Sequence, residues 1–214
     1  MKQAHLIGRI DGLRPSQRKR LEFLTHFRFS EEEYADQFII ERLSKEVLAL
    51  NQSIHLIIDE RGLCRLLCVG YMDTSREFLE QNQFIFNRKI TTRRIISCLV
   101  NLPGQEHILG NREAMSALDL NVIYWLRFCS HLNSEGKRSA CLFQPNRLEK
   151  NGWELCISSD LITLINQLVL YKFEKKRESY ALNNSSERVL ILVLTNSCKE
   201  RNIRDLAELN GLVK

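Results

Sequence analysis

The chain has 214 residues, 44% of them apolar, and its 31 basic and 26 acidic side chains give a formal charge of +5. That apolar share can build a packed core and excludes disorder as the whole answer. The mild positive balance permits contact with RNA or an anionic surface without demanding it.

Residues 1–14 read as short and irregular, with Gly8 and Gly12. Met1–Leu6 holds no apolar segment of the signal-peptide kind. No apolar run in the chain approaches the roughly 20 residues of a membrane helix. Pro15 suits the first turn of a helix, where its missing N–H is not needed, and a helix is predicted from there to Phe27. Leu21, Leu24 and Phe27 form its apolar side, while Arg14, Arg18, Lys19, Arg20 and Arg28 make it basic. Ser30 before Glu31, Glu32 and Glu33 is a capping-box pattern and predicts a second helix running to Leu50. Phe38, Ile39, Leu43, Val47 and Leu50 supply its apolar stripe.

Ile54–Ile58 and Leu63–Tyr71 read as two strands joined by Asp59-Glu60-Arg61-Gly62, with Gly62 suited to the positive φ of a tight turn. Residues 73–92 are polar and irregular. Arg94–Val100 is a further strand, broken by Pro103 and Gly104. Glu113–Leu120 reads as a helix and Val122–Cys129 as a buried strand. Residues 130–152, with Gly136 and Asn151-Gly152, read as a long surface connection. Ser159–Arg177 is predicted helical, and Asn183-Asn184-Ser185-Ser186 is a linker signal. Arg188–Leu194 is a continuous apolar strand, and Ile203, Leu206, Leu209 and Val213 form one side of a closing helix. A parallel βαβ unit needs another strand after that helix. The predicted class is therefore α/β, a mixed sheet flanked by helices, with an incomplete terminal βα unit.

Seven cysteines stand at 64, 68, 98, 129, 141, 156 and 198. Their odd number and apolar surroundings predict buried, reduced thiols and an intracellular setting. No Cys-x-x-Cys pair exists, and Cys64 and Cys68 are expected to share one strand face. His5, His26, His55, His107 and His131 are scattered without ligand spacing and are read as exposed or core-edge. Asp59-Glu60 is read as a turn feature rather than an acid–base pair. Cys129 near His131 carries no sign of a nucleophile–base pair. The only Gly-Lys pair, Gly136-Lys137, is followed by Arg138 and preceded five residues earlier by His131. A loop that cradles phosphates with backbone N–H groups and a Lys is therefore missing.

The stretch Gly12-Leu13-Arg14-Pro15-Ser16-Gln17-Arg18-Lys19-Arg20-Leu21 resembles the start of HflX-type GTPases, in the form with a long amino-terminal extension found in cyanobacteria. The likeness continues through Ile57–Gly62, Val69-Gly70, Trp153 and Ser159–Phe173, and ends in Arg188–Leu194, Leu206–Leu209 and Leu212-Val213. This chain departs where it has Ile96-Ser97-Cys98-Leu99 in place of a His-Thr-His-like segment, and where Leu194 stands for a Gly. The resemblance implies an extension domain over residues 1–182, then a linker and the first strand and helix of the HflX domain over 183–214. It implies a truncated form, because the family continues into a Gly-rich loop, a helical arm and a GTPase domain.

The intact family binds the large ribosomal subunit and hydrolyses GTP with Mg²⁺. For this chain the expectation is a non-catalytic protein with no catalytic residue, metal or cofactor of its own. It would keep association with the large ribosomal subunit and its rRNA, in the cytoplasm or the stroma-like compartment of a cyanobacterium-derived organelle, with no membrane or DNA partner. Arg14, Arg18, Lys19 and Arg20 are the candidate RNA-phosphate contacts, and Arg88, Lys89, Arg93 and Arg94 would add to them if they shared a face. Two alternatives stand beside this: a small-molecule-binding α/β enzyme, which a pocket of convergent polar groups would favour, and a non-functional remnant of a split gene.

Overall fold

The computed structural model describes residues 4–29, 37–75, 78, 93–120, 122–146 and 148–167, all within the compact unit Met1–Glu174. The expected capping box at Ser30, the basic pair Arg88-Lys89 and the terminal βα unit of 183–214 lie outside the described residues.

Seven strands form one mixed sheet: β1 (His5–Gly8), β2 (Ile54–Asp59), β3 (Cys64–Val69), β4 (Arg93–Leu99), β5 (Val122–Cys129), β6 (Ser139–Pro145) and β7 (Trp153–Asp160). Their spatial order is β1-β3-β2-β4-β5-β6-β7. The pairs β1–β3 and β4–β5 are parallel and the other four antiparallel. Strands β1, β3, β4, β5 and β7 therefore share one direction, and β2 and β6 oppose it. The chain is α/β with a mixed sheet, as its sequence pattern implies.

Helices cover both faces. Helix α1 (Pro15–Thr25), helix α2 (Gln37–Leu50) and the helical residues 161–167 pack on one face. Their Leu21, Leu24, Ile39, Leu43, Val47, Leu161 and Leu164 meet Leu56, Leu67, Ile96, Leu126 and Leu142 from the strands. Helix α3 (Asn111–Asp119) packs on the other face, where Ala114 and Ala117 meet Trp125, Phe143 and Trp153. The two indoles pack edge-on at 5.5 Å, and Trp153 Nε1–H donates to the Ala114 carbonyl at 2.9 Å. Burying aromatic rings of this size contributes about 2–3 kcal/mol each.

Local chemistry explains the boundaries. Pro15 opens α1, and the Gln17 side chain accepts the Arg14 N–H at 2.8 Å. Asp59 ends β2 because its Oδ1 accepts the Arg61 and Leu63 N–H groups at 2.9 Å, closing the turn the sequence predicts. Gly62 has φ +74°, and a Cβ there would lie 1.7 Å from the Phe29 carbonyl oxygen. No side chain fits without moving that strand of chain. Asp160 ends β7 and opens the next helix, its Oδ1 accepting the Thr163 N–H at 3.0 Å.

Several expectations need correction. Residues 5–8 are not irregular but form the edge strand β1. Residues 130–152 are not one long connection, since β6 occupies 139–145 and a hairpin turn precedes it. In that turn Asn133 Oδ1 accepts the Glu135 and Lys137 N–H groups, so Gly136-Lys137 is a turn element. Ser159 and Asp160 belong to β7, and the following helix begins at 161. Cys64 and Cys68 do not share a face. A register shift between Ile57 and Ile58 leaves Arg65 as an extra residue, so Cys64 joins the α1–α2 side and Cys68 the α3 side.

Candidate functional site

The sequence nominates the basic face of α1. Leu21 and Leu24 fix the buried side of this helix, and Arg14, Arg18 and Lys19 are exposed. Arg18 forms an exposed ion pair with Glu22 one turn on, at 3.4 Å. Arg20 is different. Its Nε donates to Glu46 Oε1 at 2.7 Å, and Glu46 is buried in α2. Arg20 thus joins α1 to α2, leaving three cations of the nominated four on the solvent side. The second basic set does not converge. Arg94 is buried, donating to Tyr124 Oη and the Phe29 carbonyl, while Arg93 donates to the carbonyl of Leu120, the C-cap of α3.

The structure adds a site that sequence reading passes over. One row of the sheet, on the α3 face, is polar from strand to strand. The register aligns Cys68, His55, Ser97, Arg127, Cys141 and Ser158 across β3, β2, β4, β5, β6 and β7. The next row inward on that face is Leu66, Ile57, Ile95, Trp125 and Phe143. The polar row therefore lies near the carboxyl-terminal ends of the strands that share one direction.

Its hydrogen bonds are directional. The Gly70 carbonyl can only accept, so His55 Nε2 carries the proton and donates to it at 3.0 Å. His55 Nδ1 must then accept, from the Ser97 hydroxyl at 2.7 Å. The Ser97 oxygen in turn accepts the Trp125 Nε1–H at 2.7 Å. This chain of bonds fixes one neutral tautomer. Burial lowers the His55 pKa, and the nearby Arg127 adds to that, against the opposing Glu113 charge and the Gly70 bond. His55 is 1% exposed, which corrects its reading as an exposed or core-edge residue.

Arg127 is 2% exposed. Its Nε donates to the Glu106 carbonyl and its Nη2 to the Ile108 carbonyl, both at 2.9 Å. Its Nη1 lies 2.9 Å from Glu113 Oε1 in α3, an ion pair that is not aligned as a hydrogen bond. Glu106 secures the same loop. Its Oε2 accepts the Gly104 N–H, the Ser139 hydroxyl and the Cys129 thiol at 2.8, 2.9 and 3.3 Å. Burial pushes the Glu106 carboxyl up, but these hydrogen bonds outweigh it and hold it below the usual range. The buried thiols of Cys64, Cys68 and Cys129 are inert, since burial pushes them up to about 12, whereas Cys156 is exposed, which corrects its reading as a buried thiol. Cys129 is buried while His131 is exposed, so they form no pair.

Above the polar row lies a cleft of about 620 Å³. His55 and Arg127 line its inner part, and Arg9, Asp73, Arg112 and Glu113 stand around it. Backbone from Gly70, Asn101 and the α3 start at Gly110 completes the walls. Arg9 is held in place over the Tyr71 ring, 4.6 Å from its centre, with Nη1 3.4 Å from Gln52 Oε1. Among the described residues no cluster of three His, Cys, Asp or Glu side chains could hold a metal ion. No helix among them is long and apolar enough to cross a membrane. Comparison with protein-family models, curated proteins and solved structures finds no match.

Proposed function

We propose that the chain is an HflX-like amino-terminal domain that does not itself hydrolyse GTP and that associates with the large ribosomal subunit through α1. The observation that carries this reading is the exposure of Arg14, Arg18 and Lys19 on a helix whose opposite side is locked by Leu21 and Leu24. Arg14 and Arg18, four residues apart, share a side of the helix and lie within reach of successive phosphates. The segments that carry the family likeness also support it, since they occupy structural turning points. Gly12–Leu21 opens α1, Ile57–Gly62 holds the β2–β3 turn, and Val69-Gly70 ends β3 beside the cleft. The cytoplasm, or a stroma-like compartment, and an rRNA partner rather than DNA follow from the same reading.

The test is pelleting with purified large ribosomal subunits at several salt concentrations. The parent chain should bind at low salt. Arg14→Gln combined with Arg18→Gln should weaken binding and flatten the salt dependence by roughly one log–log unit per lost phosphate contact. Helix stability should hardly change, since Gln is nearly as good a helix former as Arg. Unchanged pelleting of the double variant, or no pelleting of the parent, would refute the proposal. Arg20→Gln is a poor probe, because it leaves the buried Glu46 carboxylate without its cation.

The absence of a phosphate loop from this sequence gives a second expected result. Calorimetry at micromolar GTP should detect no saturable, Mg²⁺-dependent binding. Such binding would remove the non-catalytic reading.

A further inference from the structure

We propose that the cleft at the carboxyl-terminal edge of the sheet is a binding site for a small polyanion bearing phosphate groups. Nothing in the α1 reading requires it. Location is the first argument. Ligands of open α/β sheets gather beyond the carboxyl ends of parallel strands, where loops and helix starts converge. Here β1, β3 and β4 deliver Arg9, Gly70 and Asn101 to that edge, and α3 begins there. The volume, about 620 Å³, suits a small molecule.

Charge is the second argument. The walls carry Arg9, Arg112 and Arg127 against Asp73 and Glu113. Arg127 and Glu113 offset one another at 2.9 Å, which leaves the exposed Arg9 and Arg112 against Asp73. Both retain free guanidinium donors in the planar fork that matches a phosphate edge. Arg9 is pre-positioned by Tyr71 and Gln52, which reduces the entropy lost on binding.

The third argument is donor capacity left over in a buried place. Arg127 lines the cleft, and its buried Nη1, in an ion pair with Glu113, has no aligned acceptor. Buried donors are normally satisfied, and one left at a cleft wall points to a ligand acceptor. The first turn of α3 adds to it, because its N-cap is Gly110, which has no side chain to cap the open N–H groups. The neutral His55 at the inner end adds no charge and keeps its hydrogen bonds within the sheet.

The experiment is an NMR titration of the amide-labelled chain with inorganic pyrophosphate, in Mg²⁺-free buffer of low ionic strength. Citrate serves as a polyanion without phosphate. Saturable shifts are expected at the Gly70, Asn101, Arg112 and Glu113 amides. Arg9→Gln with Arg112→Gln should weaken binding at least about tenfold. Both arginines are exposed, so the variant should fold as the parent does, and it should still pellet with ribosomal subunits if the α1 reading holds. No saturation by about 10 mM pyrophosphate, a range of very weak affinity, would overturn the proposal. So would equal binding in the double variant. Citrate binding as tightly as pyrophosphate would overturn the phosphate assignment.

Discussion

Replacing Arg127 by Met should lower the unfolding free energy by about 3 kcal/mol, the largest loss expected from any single polar residue of the sheet. Met keeps most of the apolar stem, so the effect isolates the guanidinium, whose Cζ lies 4.9 Å from the centre of the Trp125 ring. Two carbonyls, of Glu106 and Ile108, lose buried donors, at about 1–3 kcal/mol for each group left unsatisfied. Glu113 is about a quarter exposed (24%) and can turn toward water, which keeps the total at the lower end of buried-pair losses. Arg127→Lys should rescue little, because a single ammonium cannot reach two carbonyls and a carboxylate in a fixed fork. Arg112→Gln, one helix position from Glu113 but exposed, should change stability by less than about 0.5 kcal/mol. Urea unfolding with an unchanged slope is the measurement. A loss below about 1 kcal/mol for Arg127→Met would mean that the loop carrying Glu106 and Ile108 is held by something else.

Most of the framework is legible in the sequence because apolar period and punctuation agree. Pro15, Asp59-Glu60-Arg61-Gly62 and the run Val122–Cys129 each mark an element that the structure contains. The missed strands have identifiable causes. β1 is four residues long and lies at a sheet edge, so it shows little pattern. β7 is the other edge, with Glu154, Leu155 and Cys156 exposed in succession, which hides the alternation of a half-buried strand. β6 carries a run of only four apolar residues, Ala140–Phe143, and the register shift between Leu142 and Phe143 leaves Cys156 as an extra residue on β7, which disturbs the period of that strand. The polar row was illegible for a different reason. His55, Ser97 and Arg127 each sit singly inside apolar runs, where each reads as an isolated exception. Only the register, which depends on which strands pair, shows that the exceptions are aligned. Of the α1 cations, Arg14, Arg18 and Lys19 could be placed on the solvent side by helical spacing, but the tie from Arg20 to Glu46 needed tertiary structure.

The same row makes stability depend on pH, and the sign follows from His55. In the folded chain its ring is neutral, its Nδ1 committed to accepting from Ser97 and its Nε2–H to the Gly70 carbonyl. A second ring proton would sit against a hydroxyl that is already donating, on a ring that is almost fully buried. The folded pKa is therefore lowered, chiefly by burial, while the unfolded ring titrates near about 6.5. Above that value both states are neutral and His55 contributes no slope. Below it the unfolded chain takes up a proton that the folded chain refuses, so stability falls as pH falls, by up to about 1.4 kcal/mol per pH unit until the folded pKa is reached. Glu106 behaves as a depressed carboxylate, and its contribution is lost only as pH falls below the ordinary carboxylate range. The two windows separate. Urea unfolding from about pH 7 to about pH 5 should show the His55 slope in the parent chain and lose it in His55→Gln. Should that variant prove too unstable to compare, imidazole nitrogen shifts of the parent decide the matter. They should report the neutral Nε2–H tautomer well below pH 6.5. A ring that protonates at its ordinary value while the chain stays folded would show that the Ser97–Trp125 chain of hydrogen bonds does not hold it neutral.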